Sequence, residues 1–293
     1  MGLTNAEQLV SLQQQSGFKA VTLAFLVASG SGCQAGWGGL GGTLPTDTFP
    51  NGTSIQSIVQ SLKAAGVQVI ISFGGANGTE PALACGNASS LQALYQSVIN
   101  RYGVTMLDFD IEGAATTDQA SITRRDQAVV ALKNANPGLV ISYTLPVLPT
   151  GLIDSGVNIL KSAKADGLAL NTVNIMAMDY GSSVDNGGKM GLDAIDAAQA
   201  TASQIAAAGL TSSVGITPMI GVNDTNTEIF QLSDAQTVLN FAESTSYIGR
   251  LSIWSLARDN GSCPGQTWAS PTCSGVSQNN FQFIENFNAF NSR

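Results

Sequence analysis

Seven short apolar runs, rich in β-branched residues, recur about once every 40 residues, and that rhythm constrains the fold more than any other feature of the sequence. They are Val21–Ala28, Val67–Phe73, Val104–Ile111, Leu139–Leu145, Val173–Met178, Val214–Ile220 and Leu251–Leu256. The interval holds one strand, one helix and two loops. Ala-rich amphipathic segments lie between the runs: Ser54–Ala65, Leu91–Arg101, Asp126–Asn134, Asp193–Ala208 and Asp234–Ser244. Several of these start on Asp, Ser or Thr, as capped helices do. The runs are nearly continuous rather than alternating, which predicts strands buried on both faces in a parallel sheet. Seven such units predict an α/β chain closed as a (β/α)8 TIM barrel, one domain over residues 1–293. An open doubly wound sheet is the alternative, but no G-x-G-x-x-G follows the first run. The count is one short of eight. Thr4-Asn5-Ala6-Glu7 reads as a capping box opening a helix, with no room upstream for the strand that should feed it. Either the first strand is absent from this chain or the barrel closes in another way.

The chain of 293 residues contains no histidine. This excludes Ser-His-Asp and Cys-His nucleophile systems and zinc sites built on imidazole. Acid–base chemistry must come from carboxylates, Tyr, Lys or Cys, and no metal or cofactor is expected. The net charge is −8 and only 11% of residues are charged. An acidic surface repels phosphate, so nucleic acid is not an expected partner, whereas a neutral polymer is compatible. No apolar run is long enough to predict a membrane span, and Met1-Gly2-Leu3-Thr4 carries no signal peptide. Cys33, Cys85, Cys263 and Cys273 form no C-x-x-C pair. Cys263 and Cys273 sit ten apart in a Gly/Pro/Ser-rich segment that suits a local bridge. Cys33 and Cys85 follow strand-like runs and are placed to join neighbouring loops. Two disulfides imply a secreted, extracellular protein; four free thiols are the alternative.

The run Leu107-Asp108-Phe109-Asp110-Ile111-Glu112-Gly113 concentrates the chemistry. Alternate side chains of a strand share a face, so Asp108, Asp110 and Glu112 point one way and Leu107, Phe109 and Ile111 the other. In a barrel this lines three acids, about 6.5 to 7 Å apart along the backbone, up to the C-terminal rim where barrel enzymes keep their active sites. Carboxylates so close are expected to share protons and to raise at least one pKa, as a general acid requires. A solvated acidic strand face is the competing explanation. It is disfavoured because the neighbouring runs leave no solvent-exposed sheet face and the chain carries few charges.

At these residues the sequence resembles glycoside hydrolase family 18, the chitinases and their relatives. Asp108-Phe109-Asp110-Ile111-Glu112 matches the last five positions of the family's D-G-x-D-x-D-x-E signature on the fourth strand. Ser72-Phe73-Gly74-Gly75 matches its S-x-G-G on the third. Met176-Ala177-Met178-Asp179 is an altered M-x-Y-D on the sixth, and Trp254 matches the Trp ending the eighth. The match spans roughly residues 20 to 260, and the runs around Tyr143–Pro146 and Thr217–Asp224 resemble compact bacterial chitinases of this family. In that register Val21–Ala28 is the second strand, so the strand absent from this chain is the first.

The resemblance implies a retaining, substrate-assisted mechanism. Glu112 would protonate the glycosidic oxygen, the sugar's own acetamido oxygen would attack the anomeric carbon, and Asp110 would orient the acetamido N–H. Asp108, deeper, would share a proton with Asp110. Trp254 would floor the subsite, Asp179 would bond sugar or Glu112, and Phe25 and Asn223 would line the cleft. Ser72, Gly74 and Gly75 would shape the ground beneath the acids. Two positions depart from the family pattern: Thr105 replaces its first Asp, and Met178 replaces the Tyr that steadies the acetamido oxygen. Tyr180 is near enough to substitute if the strand end bends. The stretch before Leu251–Leu256 is too short for a small inserted domain, which implies an open cleft and internal cleavage. The expected partner is chitin or chito-oligosaccharide, bound by a monomer. The rival functions are a non-catalytic sugar-binding barrel and an endo-β-N-acetylglucosaminidase acting on N-glycans.

Overall fold

A computed structural model of the chain describes residues 8–290 apart from 39, 41–43, 45, 46 and 50. The described elements are, in chain order, α1 (Leu9–Ser16), β1 (Ala20–Ala28), β2 (Ala35–Trp37), α2 (Ile55–Ala64), β3 (Gln68–Gly74), α3 (Pro81–Ala84) and α4 (Ala88–Tyr102). There follow β4 (Met106–Asp110), α5 (Gln119–Ala135), β5 (Val140–Pro146), α6 (Asp154–Ala165), β6 (Thr172–Ala177) and α7 (Met190–Ala207). The last are β7 (Ser213–Pro218), β8 (Gly221–Val222), β9 (Ile229–Phe230), α8 (Leu232–Ser244), β10 (Ile248–Leu251) and α9 (Gln282–Phe287).

The main sheet runs β10-β7-β6-β5-β4-β3-β1-β2, and β8–β9 is a separate hairpin. Strands β1, β3, β4, β5, β6, β7 and β10 are parallel neighbours in sequence order, with helices between them, as right-handed β-α-β crossovers require. This is the strand-and-helix barrel plan expected from the periodicity. Among the described residues no ladder joins β1 to β10. The short β2 runs antiparallel to the upper end of β1, pairing Leu26 with Trp37 and Ala28 with Ala35. Below it no described strand covers the edge of β1. A cavity of about 440 Å³ follows this seam between Ala20–Phe25 and Gly249–Trp254, with Leu9 and Phe287 of the outer helices on its wall. At its foot Lys19 Nζ donates to the Asn288 carbonyl and Asn288 Nδ2 to the Ser16 carbonyl.

Burial follows the topology. Every residue of β3 after Gln68 is buried, and in β5 only the two terminal residues are not. In β1 only Leu23 and Leu26 are buried, and in β10 only Ile248.

Local sequence accounts for the helix starts. Ser54, Asn87 and Asp118 accept hydrogen bonds from the backbone N–H groups of Ser57, Ser90 and Ser121. The expected start of a helix at Asp126 is corrected, because Asp118 is the cap and α5 begins at Gln119. Asp126 is buried in mid-helix and accepts from Tyr143 and Ser162. The apolar run Leu251–Leu256 is also displaced. Its strand is Ile248–Leu251; the chain then continues to Trp254, which bridges to Met219. The Thr4–Glu7 capping box lies outside the described residues. Both expected disulfides are present, Cys33–Cys85 and Cys263–Cys273, with no free cysteine among the described residues. No helix among the described residues is long and apolar enough to cross a membrane.

Candidate active site

The acids stand on β4 and its extension. Asp108 and Asp110 lie inside the strand; Glu112 is two residues beyond its end but keeps extended backbone torsions, so the alternation carries on to the rim. Gly113, with a positive φ, then turns the chain away. On the other face Leu107, Phe109 and Ile111 are buried against the helical layer, with Phe109 packed on Phe73, Tyr95 and Tyr143. That apolar anchor fixes the direction of the acids.

Asp108 sits in a cup of hydroxyls. Ser142 Oγ (2.5 Å) and Thr144 Oγ1 (2.9 Å) donate towards Oδ1, and Ser72 Oγ donates to Oδ2 at 2.7 Å. Arg250, on β10, donates to Ser142 Oγ at 3.1 Å from across the barrel. Asp110 has no such donors: its Oδ1 is buried without a partner. Burial pushes its carboxyl well above the usual range, and the neighbouring Glu112 and Asp108 charges push the same way. Glu112 is also raised by burial, while its hydrogen bond with Asp110 pulls in the opposite direction. Asp108's oxygens are met by side-chain hydroxyls, whereas Asp110 and Glu112 act on each other. Two carboxyls raised by burial, each lining a pocket, form an arrangement suited to delivering and retrieving a proton.

The glycines beneath are obligatory for space. Gly74 and Gly75 both have positive φ. A Cβ on Gly74 would lie 2.1 Å from the Asp110 carbonyl, and one on Gly75 2.5 Å from the Phe25 ring. Only a residue without a Cβ meets both conditions. Phe25 in turn stacks on Trp254 across the open seam, with centroids 5.9 Å apart and planes at 21°. Both rings are partly exposed and face the cavity that reaches Asp108 and Asp110.

Glu112 opens onto a second pocket of about 310 Å³, walled by Met176, Met178, Asp179, Val147 and Ile153. Asp179 has a positive φ and is held by the β8–β9 hairpin: Thr225 N–H donates to its Oδ1 at 2.7 Å. Burial raises its pKa, with the Thr225 bond opposing. Tyr180 follows the bend at Asp179 and is not among the residues lining the Glu112 pocket. It is buried, its hydroxyl has no partner, and the charges acting on it are Asp193, Glu228 and Asp196. Asn223 is likewise not a lining residue. It is fully buried, and its amide donates to the Met219 and Gly221 carbonyls and accepts from Asp179 N–H. Sequence reasoning missed Ser142, Thr144, Arg250 and Thr225. The first two do carry a signal, as polar residues at alternate positions of an otherwise apolar strand.

Comparison with known proteins agrees with this geometry. Over 294 residues, 94% of this chain, it is 35% identical to a probable bifunctional chitinase/lysozyme of Escherichia coli strain K12. The catalytic domain of a hyperthermophilic chitinase from Pyrococcus furiosus superposes with a TM-score of 0.83 at 29% identity, covering 98% of this chain and 91% of that one. The proteins that the chain resembles over nearly its whole length are chitinases. Active domain 2 of the Pyrococcus chitinase, solved as catalytic-site mutants with chito-oligosaccharides, gives a TM-score of 0.82 at 28% identity, covering 98% and 91% of the two chains. Endochitinase 11 of Metarhizium anisopliae is 35% identical over 220 residues, 69% of this chain and 42% of that protein. The chain spans only 32% of the Escherichia coli protein's length. No family model matches it.

Proposed function

We propose that this family 18 domain hydrolyses the β-1,4 linkages of chitin with retention of configuration. The observation that carries the reading is the hydrogen-bonded Asp110–Glu112 pair, both raised by burial and placed where the extended β4 reaches the rim. Glu112 gives its proton to the glycosidic oxygen as the bond from that oxygen to the anomeric carbon breaks. The acetamido oxygen of the same sugar forms the new bond to that carbon, leaving an oxazolinium ion. Asp110 accepts the acetamido N–H and balances the positive charge. Water then opens the ring, with Glu112 taking its proton back. The chemistry is carried by the chain's carboxylates and the substrate.

Trp254, backed by Phe25, offers a flat apolar floor for the sugar, and Asp179, clamped by the Asp224–Thr225 segment, stands in the wall of the Glu112 pocket where it can meet the sugar. With Met178 in place of a phenol, the acetamido group meets a thioether wall. The reading extends to internal cleavage by one monomeric catalytic domain, exported and held by its two disulfides. The test is chitin hexamer digested beside the Glu112→Gln variant, with product anomers followed by NMR. Prompt release of β-anomers, lost in the variant, is expected. Inverted products would overturn the mechanism, and hexamer binding without cleavage would leave a lectin-like barrel.

A further inference from the structure

The barrel interior around Asp108 is polar, and its hydrogen bonds run in one direction. Two chains of donors end on Asp108. In the first, Arg250 of β10 donates to Ser142 Oγ at 3.1 Å, and Ser142 donates to Asp108 Oδ1 at 2.5 Å. In the second, Thr217 Oγ1 of β7 donates to Asn174 Oδ1 at 3.0 Å, Asn174 Nδ2 to Thr144 Oγ1 at 3.1 Å, and Thr144 to Asp108 Oδ1 at 2.9 Å. Ser72 adds a hydroxyl from β3, at 2.7 Å from Oδ2. Gly215 leaves room for the Asn174 amide, since a Cβ there would lie 2.5 Å from Asn174 Oδ1.

The direction follows from what each group can give. A guanidinium has donors and no acceptor, so Ser142 can only accept from it, and the one hydrogen of Ser142 is left for Asp108. Thr144 is committed in the same way by the Asn174 NH2 group, whose orientation is set by the Thr217 hydroxyl on the amide oxygen. A neutral carboxyl would need an acceptor for its own hydrogen, and at both of these hydroxyls the hydrogen already points inward. The carboxylate is the form of Asp108 that such surroundings satisfy. Among the described residues no carboxylate forms an ion pair with Arg250. Burial pulls its guanidinium below the usual range, and the charge that opposes this is Asp108. The other ionisable groups near Asp108 are Asp110 and Glu112. Strands β1, β3, β6 and β7 carry none, and Tyr143 of β5 turns to Asp126 in the helical layer. Lys19, at the foot of the cavity, is bonded to the Asn288 carbonyl.

We infer that Arg250 is a positioning residue for the acid–base pair: through Ser142 it holds Asp108 as a fixed anion beneath Asp110 and Glu112. That anion is among the charges that raise the Asp110 carboxyl, after burial and Glu112, and it keeps the exchangeable proton on the pair above it. Removing the cation makes the ionisations of the three neighbouring acids harder as a set, so they move to higher pH. The inference rests on the proton-delivery reading of Glu112, but it concerns what sets the pH range of that delivery.

The experiment is the pH profile of kcat/KM on chitin hexamer. In Arg250→Met the acid limb is expected to move up by about one pH unit, a roughly tenfold loss below the limb and less than about twofold at neutral pH. Arg250→Lys should restore most of the shift. Ser142→Ala should move the same limb, and the double variant should move it no further than the larger single change, as for two members of one relay. An equal loss at every pH, or shifts that add, overturns the inference and leaves Arg250 a packing residue. If Arg250→Met does not fold, Ser142→Ala carries the limb test, and an unmoved limb there overturns it. A second measurement needs no turnover: carbon-13 NMR of labelled carboxyls, with the three signals identified by Asp108→Asn, Asp110→Asn and Glu112→Gln. Their titrations should move to higher pH in Arg250→Met or Ser142→Ala. If the unaltered chain fails to cut hexamer, the hydrolytic reading falls while this titration still decides the role of Arg250, and unmoved signals sink it.

Discussion

The arc from β3 to β7 and the flanks β1 and β10 are built from the same strand–helix unit, yet they are packed differently. In the arc both faces of nearly every strand are covered, and the acids grow from its middle. At the flanks most residues are half-exposed, and a seam of about 440 Å³ separates them among the described residues. The two halves of the site are divided accordingly. Proton chemistry stands on the closed side, whereas the Phe25–Trp254 floor spans the open one. The difference teaches that one barrel separates the groups that exchange a proton, which need a fixed setting, from the surface that only has to be flat.

Substitutions can break this comparison. The largest effect is expected from Glu112→Gln, which should lower kcat/KM for chito-oligosaccharide by about 10² to 10⁴ and leave the melting temperature nearly unchanged. A marked fall in melting temperature would show that the rim acid is structural. Next comes Ile71→Ala in β3, where the side chain is fully buried. It is expected to cost about 2 to 5 kcal/mol in urea unfolding. The matching truncation Val21→Ala in β1 should cost about 1 kcal/mol. Equal costs at the two sites would erase the distinction between arc and flank.

Asp110→Asn separates the regions by pH. A buried carboxyl with a raised pKa favours the folded state at pH values below its unfolded pKa, and that contribution is lost as pH rises through the folded one. The variant should therefore melt a few degrees above the parent at pH 8 and no higher at pH 4, while losing activity. A melting difference independent of pH would refute the raised pKa. The alkaline limb of kcat/KM in the parent should correspondingly lie above the ordinary carboxyl range, because Glu112 is raised too. The smallest effect is expected from Lys19→Ala at the foot of the seam, where the bond to Asn288 is exposed. Surface substitutions of this kind barely move stability, so the urea midpoint should stay within its experimental error. A clear drop would mean that this bond holds the seam together.

The parallel barrel was legible because its strands are buried on both faces, so apolar run and strand coincide. The three acids were legible because strand alternation is geometric. The setting of Asp108 was not. It depends on which hydroxyls converge from β3 and β5 onto Asp108, contacts between segments far apart in the chain. Tyr180 and Asn223 were misplaced for a similar reason. The backbone at Asp179 adopts a positive φ, which a non-glycine sequence does not announce, and the residue after it is buried outside the Glu112 pocket. Asp126 looked like a helix cap because Asp often is one; only the prior claim of Asp118 shows otherwise.

The open seam also orders the events of heating. Local opening begins where few apolar contacts and few paired amides oppose it, and β1 and β10 meet that description on their facing edges. Amide exchange should be fastest there and slowest in β3 to β6. Phe25 and Trp254 stand on the two flanks, so their stack should part before the acids lose their surroundings. Tryptophan fluorescence should then change at a lower temperature than the far-ultraviolet signal of the barrel.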